Sequence, residues 1–163
     1  MLDFLRPSPA PAAAARPFRL AVVVGAPGMG KTTLAEEWIA DWIKERKGRG
    51  VLAILDPARQ FRHIPGNVAA WPGEGNPRDH RGPEARADEW IAALKVARAS
   101  AGGDPPPCLV VLDDADVYMN ASSPRGIWRD FLMTFRHWRC DVLILGRRSQ
   151  ELPKVAFQNA TTV

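Results

Sequence analysis

Val22-Val23-Val24-Gly25-Ala26-Pro27-Gly28-Met29-Gly30-Lys31-Thr32-Thr33 decides the fold. A β-branched apolar run enters a glycine-rich turn, the turn ends in Gly-Lys-Thr-Thr, and a helical pattern follows at once. This is G-x-x-x-x-G-K-[ST] with a strand before it and a helix after it, the context that gives the pattern meaning. Phosphate chemistry explains the residue types. Gly25, Gly28 and Gly30 open backbone angles closed to other residues, so successive N–H groups from Gly25 to Thr33 curl around anionic oxygens. The helix beginning near Gly30 turns its positive end toward the same anion. Lys31 supplies a mobile charge for β- and γ-phosphates, and Thr32 supplies a hydroxyl for Mg²⁺. An ordinary glycine-rich turn between strand and helix has no need of Lys-Thr-Thr at this offset.

A chain of 163 residues implies one domain. Its 46% hydrophobic and 25% charged residues fit a soluble protein with a real core. The net charge is +4, and 17 of the 22 basic residues are Arg. Arg suits bidentate contacts with phosphate and carboxylate, although a GC-rich coding sequence produces the same bias. Cys108 and Cys140 each precede an apolar run and read as buried free thiols, which speaks against a disulfide scaffold or a zinc site. No apolar run approaches the ~18 residues of a membrane span, and no apolar leader opens the chain. A cytoplasmic protein without a membrane partner is expected.

Residues 1–17 form a Pro/Ala-rich segment that reads as a flexible arm, and residues 18–163 as the folded domain. Phe18 to Val24 is the first strand. Lys31 to Lys47 is a helix with Leu34, Ala35, Trp38, Ile39, Trp42 and Ile43 on one stripe. Val51 to Leu55 is a second strand. It closes at Asp56-Pro57, a good turn, though a carboxylate there also suits ribose or Mg²⁺. Val68 to Trp71 reads as a short strand, and Pro72 to Pro83 as a solvated or polyanion-contacting loop. A helix from Glu84 to Ala101 turns Trp90, Ile91, Leu94 and Ala97 inward. Ser123 and Pro124 read as the N-cap and first turn of a further helix that runs to about Trp138. Ile127, Trp128, Phe131, Leu132, Phe135 and Trp138 form its apolar side. Arg125, Arg129, Arg136 and Arg139 populate the rest, as a solvated face, a phosphate-contacting face or a source of an arginine finger.

Cys108-Leu109-Val110-Val111-Leu112-Asp113-Asp114 is an apolar strand ending in paired carboxylates. Alone this is a weak signal. Some 80 residues after the glycine loop it is a strong one. Asp113 would hold Mg²⁺, and Asp114 would act as general base toward an attacking water. Asp141 to Leu145 is another buried strand, and Arg147 beyond it is the candidate to sense a γ-phosphate. Ala160 to Val163 reads as the start of a last strand.

Strands alternating with helices behind such a loop predict an α/β fold with a right-handed, mainly parallel sheet and the nucleotide at the carboxyl edge of the strands. The chain resembles the additional-strand class of P-loop ATPases, and within it the FtsK–HerA superfamily with its viral and phage genome-packaging ATPases. The residues that carry the resemblance are Gly25 to Thr32, Leu112-Asp113-Asp114-Ala115, and Asp141 to Arg148 with Glu151-Leu152-Pro153. The resemblance implies a three-layer α/β/α sandwich, strand order 2-3-4-1-5, with the sensor strand between the Walker A and Walker B strands. It implies ATP and Mg²⁺ as ligands, an oligomeric ring, and coupling of hydrolysis to double-stranded DNA translocation or packaging. It makes Arg139 the closest match to a trans-acting arginine, with Arg136 second. Asp114 departs from the family's usual Glu by one methylene.

Two other functions stand beside the motor. One is a nucleotide-gated switch or assembly factor that hydrolyses ATP weakly, which Asp114 in place of Glu favours. The other is a small-molecule or nucleotide kinase with Arg78, Arg81 and Arg86 on a lid, against which the Asp113-Asp114 pair speaks.

Overall fold

The two central strands, 108–112 and 140–146, are buried along their whole length, which is why both read as nearly unbroken apolar runs. The computed structural model describes residues 17–163 except 48, 65–66, 74, 120–125 and 162–163. The N-terminal arm and the Ser123-Pro124 cap therefore lie outside the described residues. Five strands, β1 (Leu20–Val24), β2 (Val51–Leu55), β3 (Asn67–Ala70), β4 (Cys108–Leu112) and β5 (Cys140–Gly146), pair in the order β1-β5-β4-β2-β3. All four pairings are parallel.

Successive residues of each strand serve opposite faces, which the pleat requires. Ala21, Leu52, Ile54, Leu109, Val111, Leu143 and Leu145 pack with Ala35, Ile39 and Trp42 of helix α1 (Lys31–Glu45). Leu20, Val22, Ala53, Leu55, Val110, Leu112, Val142 and Ile144 face the other way. There they meet α2 (Pro83–Ser100), α3 (Gly126–Thr134) and α4 (Lys154–Asn159) through Trp90, Ile91, Trp128, Phe131 and Ala156. The result is the expected α/β/α sandwich.

The strand order differs from the expectation at both edges. The strand that follows α3 does lie between β1 and the Asp113-bearing β4, and β2 lies beyond β4. The fifth strand, however, is β3, on the outer edge of β2. At the free edge of β1 the Thr161 N–H and hydroxyl both donate to the Leu20 carbonyl, at 2.8 and 3.1 Å; Ala160 and Thr161 are not in a strand, and the rest of the expected last strand lies outside the described residues.

Three helix expectations also shift. Leu34 and Ile43 are exposed rather than inward, because the α1 stripe is narrower than the apolar pattern. Ala97 is exposed and Arg98 buried. The Arg98 guanidinium donates to the Pro106 and Trp138 carbonyls, so its burial closes two loop ends. Finally, α3 stops at Thr134, and tight turns carry the chain from there to Arg139, whose φ of 53° reverses it into β5.

The amino edge of the sheet is fastened by one buried carboxylate. Asp141 accepts the Arg19 N–H at 2.8 Å, the Trp42 indole N–H at 2.7 Å and the Arg46 guanidinium at 3.1 Å. This joins β5 to α1 and to the entry of β1. With that edge locked, the opposite edge carries the loops.

Candidate functional site

Four strands deliver their last residues to one place. β1 ends in the loop Gly25–Gly30, β4 in Asp113 and Asp114, β5 in Arg147, and β2 in Asp56 and the turn that carries Gln60. The Gly25 N–H donates to the Gly146 carbonyl and the Asp113 N–H to the Leu55 carbonyl, so neighbouring strand ends stay in register as they leave the sheet. Helix α1 leaves β1 on one face, while α3 connects β4 to β5 on the other. The crevice where connections diverge is where open parallel sheets bind ligands.

A cavity of about 410 Å³ fills this crevice. Pro27, Gly28, Gly30, Lys31, Thr32 and Thr33 form its loop wall, and Asp113, Asp114, Arg147 and Gln60 the remainder. Gly28 and Gly30 have φ of 80° and 77°, the left-handed conformation that a side chain would strain. Gly30 occupies the N-cap position of α1, and no side chain among the described residues caps that helix. Its first N–H groups are thus available to an anion. The Lys31 ammonium donates to the Gly25 carbonyl at 2.6 Å and the Ala26 carbonyl at 3.1 Å, held by its own loop beside the cavity. Gly25, Ala26 and Met29 do not line the cavity; Met29 is 73% exposed at the loop tip.

Asp113 is buried, and its Oδ2 has no hydrogen-bond partner among the described residues. Burial, together with the neighbouring Asp114 and Asp56 charges, pushes its carboxyl up to about 7. Asp113 and Thr32 line the same cavity, and a carboxylate with an unbonded oxygen beside a hydroxyl supplies the hard oxygen donors that suit a divalent cation. Thr32 and Asp113 therefore fit Mg²⁺. Asp114 sits at φ 45°, ψ 44°, and heads a short 3-10 turn, Ala115–Val117. Its two carboxylate oxygens accept the Arg147 Nε–H and a terminal guanidinium N–H at 3.4 and 3.3 Å. Asp116 fixes Arg147 from below by accepting its backbone N–H at 3.0 Å.

The structure thus brings together Lys31, Thr32, Asp113, Asp114 and Arg147. Arg139 is not among them. It stands before the first residue of β5, roughly 25 Å of extended chain from Arg147 at ~3.3 Å per residue, and pairs with Asp104. Arg136 is exposed and lies over the Phe135 ring. Asp56 behaves as the turn former: its carboxylate accepts the Gln60 and Phe61 N–H groups at 2.9 and 2.8 Å. Two of the three arginines of the supposed lid, Arg81 and Arg86, are occupied elsewhere, and Arg78 does not line the cavity. Arg81 is bonded to Asp79 and Glu89, and Arg86 to the Pro72, Asp79 and Arg81 carbonyls.

Gln60 is the residue that sequence reasoning missed. It accepts the Thr32 hydroxyl proton at 2.5 Å. Nothing in Arg59-Gln60-Phe61 signals a site; only the Asp56 turn determines where its side chain goes.

The fold is that of solved P-loop NTPases. The genome-packaging NTPase B204 from Sulfolobus turreted icosahedral virus 2, in complex with AMP, superposes with a TM-score of 0.66 at 15% identity, over 89% of this chain and 73% of B204. The complex of B204 with ATP-gammaS gives 0.60 at 12% identity, over 89% and 72%. The N-terminal domain of zonular occludens toxin from Neisseria meningitidis gives 0.51 at 18% identity, over 89% and 74%. No protein-family model matches the sequence, and no curated protein matches it.

Proposed function

We propose that this chain is a Mg²⁺-dependent ATPase that works as an oligomeric motor on double-stranded DNA, in translocation or genome packaging. The observation that carries the reading is the convergence of Lys31, Thr32, Asp113 and Asp114 on one cavity at the N-terminus of α1. The glycine loop and the uncapped helix end would bind the phosphates, with Lys31 leaving its loop carbonyls for the β- and γ-oxygens. Thr32 and Asp113 would hold Mg²⁺, which when bound neutralises charge on the phosphate oxygens. The Asp114 carboxylate would orient the attacking water and take its proton. Arg147, which lines the cavity beside Asp114, would meet the γ-phosphate. Arg139, remote from its own cavity, would serve only the site of a neighbouring subunit. B204 being a genome-packaging NTPase supports the DNA-motor part of the reading, as do the net charge of +4 and the arginine-rich composition.

Steady-state ATP hydrolysis with and without double-stranded DNA, wild type beside Lys31→Ala, tests this reading. DNA-stimulated turnover that vanishes in Lys31→Ala is expected. Turnover indifferent to DNA, from a protein that stays monomeric with nucleotide at high concentration, would overturn the motor. One observation favours a second reading, a weakly hydrolysing nucleotide switch: the Asp114 carboxylate is already engaged by Arg147. Tight ATP binding with slow, DNA-independent turnover would select it. In either case no described helix is long and apolar enough to cross a membrane.

A further inference from the structure

We propose that Gln60 is a positioning residue for the Thr32 hydroxyl, setting the affinity of the site for its divalent cation. The inference rests on the nucleotide reading above and goes beyond it to a residue outside the glycine loop and the carboxylate pair. A threonine hydroxyl ligates a cation through oxygen lone pairs, so its proton must point elsewhere. Left alone, the hydroxyl rotates, and in a helix it often donates to a carbonyl three or four residues back. Here the Thr32 hydroxyl donates to the Gln60 Oε1 at 2.5 Å, which leaves its lone pairs for a cation. Both side chains line the cavity that Asp113 also lines.

The turn that presents Gln60 is built to hold it. Asp56, 3% exposed, binds the Gln60 N–H with one oxygen and the Phe61 N–H with the other. Phe61 is buried in the α1-side core, so the backbone on either side of the amide is anchored. Arg59 adopts φ 62°, a left-handed conformation uncommon for a long side chain, and its N–H returns to the Asp56 carbonyl. Four constraints therefore converge on a residue whose own side chain reaches only Thr32 among the described hydrogen bonds. Residues that orient the ligands of a metal are a general feature of metal sites, and losing one costs about 10–100-fold in metal affinity.

The test titrates Mg²⁺ into full-length protein carrying a fluorescent ATP analogue, and measures the same analogue's affinity without metal. Gln60→Leu keeps a branched side chain of comparable bulk, one bond shorter, and removes the acceptor; Gln60→Glu keeps an acceptor at the same length. In Gln60→Leu the half-saturating Mg²⁺ concentration is expected to rise about tenfold or more, beyond any change in metal-free affinity. Gln60→Glu is expected to titrate at or below the wild-type concentration. A Leu variant that titrates like wild type overturns the inference alone, as do Leu and Glu variants weakened equally. A wild type whose binding ignores Mg²⁺ overturns the cation site itself, and the inference with it.

Discussion

Asp113 carries two opposed demands. A buried carboxyl beside two other acids favours its protonated form, whereas the Mg²⁺ ligand proposed above must be ionised. Its ordinary value of 3.8 is pushed up to about 7 in the metal-free fold. The native state therefore binds a proton that the unfolded chain has released between those values. Stability from this group is full below about pH 4 and is lost as pH rises toward 7. Asp113→Asn mimics the protonated form. In metal-free thermal melts it is expected to raise Tm above wild type at pH 8, with the gap closing toward pH 4, while Mg²⁺-dependent nucleotide binding is lost. A Tm difference that does not change with pH would contradict the burial argument. Under the proposed function Asp114 has the other role, that of general base. Asp114→Asn keeps the shape and removes the base, so kcat is expected to fall by ~10²–10⁴-fold, with the affinity for a fluorescent ATP analogue little changed. Equal losses in binding and turnover would make Asp114 a structural residue.

Elements are held in place by contacts far from the cavity. Asp141 binds Arg19, Trp42 and Arg46 at the amino edge, linking β5, α1 and the start of β1. Removing the carboxylate leaves Arg46 partly buried without that acceptor, and Asp141→Ala is expected to cost about 3 kcal/mol in urea unfolding. Nucleotide affinity of the folded fraction should remain, because the cavity lies at the opposite edge. Gly50 supports the same helix differently. A Cβ there would lie 2.2 Å from the Trp42 ring, so Gly50→Ala must displace α1 or the entry to β2. A loss of about 1–3 kcal/mol is expected on thermal or chemical unfolding; an unchanged midpoint would mean that the Trp42 ring yields freely.

For the whole molecule, the decisive question is whether one chain completes another's site. Arg139 lies at the amino edge of the sheet and the cavity at the carboxyl edge, so only a neighbouring subunit could bring the two together. Under the motor reading, a mixture of Arg139→Ala and Lys31→Ala proteins forms some interfaces with an intact cavity and an intact arginine. The mixture is expected to hydrolyse ATP faster than either variant alone. No gain on mixing, in a protein whose oligomerisation is verified, would remove Arg139 from the mechanism. Arg136 then becomes the next substitution.

Much of this was legible in the sequence, for identifiable reasons. The glycine loop needs one local geometry, a strand turning into a helix around an anion, and few residue types allow it; residues 25–33 therefore announced themselves. The doubly covered sheet was legible because burial on both faces leaves continuous apolar runs. Asp113 and Asp114 were legible by their place at the end of such a run. The sequence did not determine what depends on distant residues meeting. It left the edge position of β3 open, because a four-residue strand carries little pattern. It turned Ala97 inward where the structure buries Arg98, since an amphipathic count cannot see the carbonyls that arrive from other segments to meet the guanidinium. It hid Gln60 altogether, because an exposed glutamine becomes informative only when an Asp56 turn sets it against Thr32. Local backbone demands and burial periodicity are written along the chain; pairings between side chains far apart in sequence exist only once the sheet has brought its strand ends together.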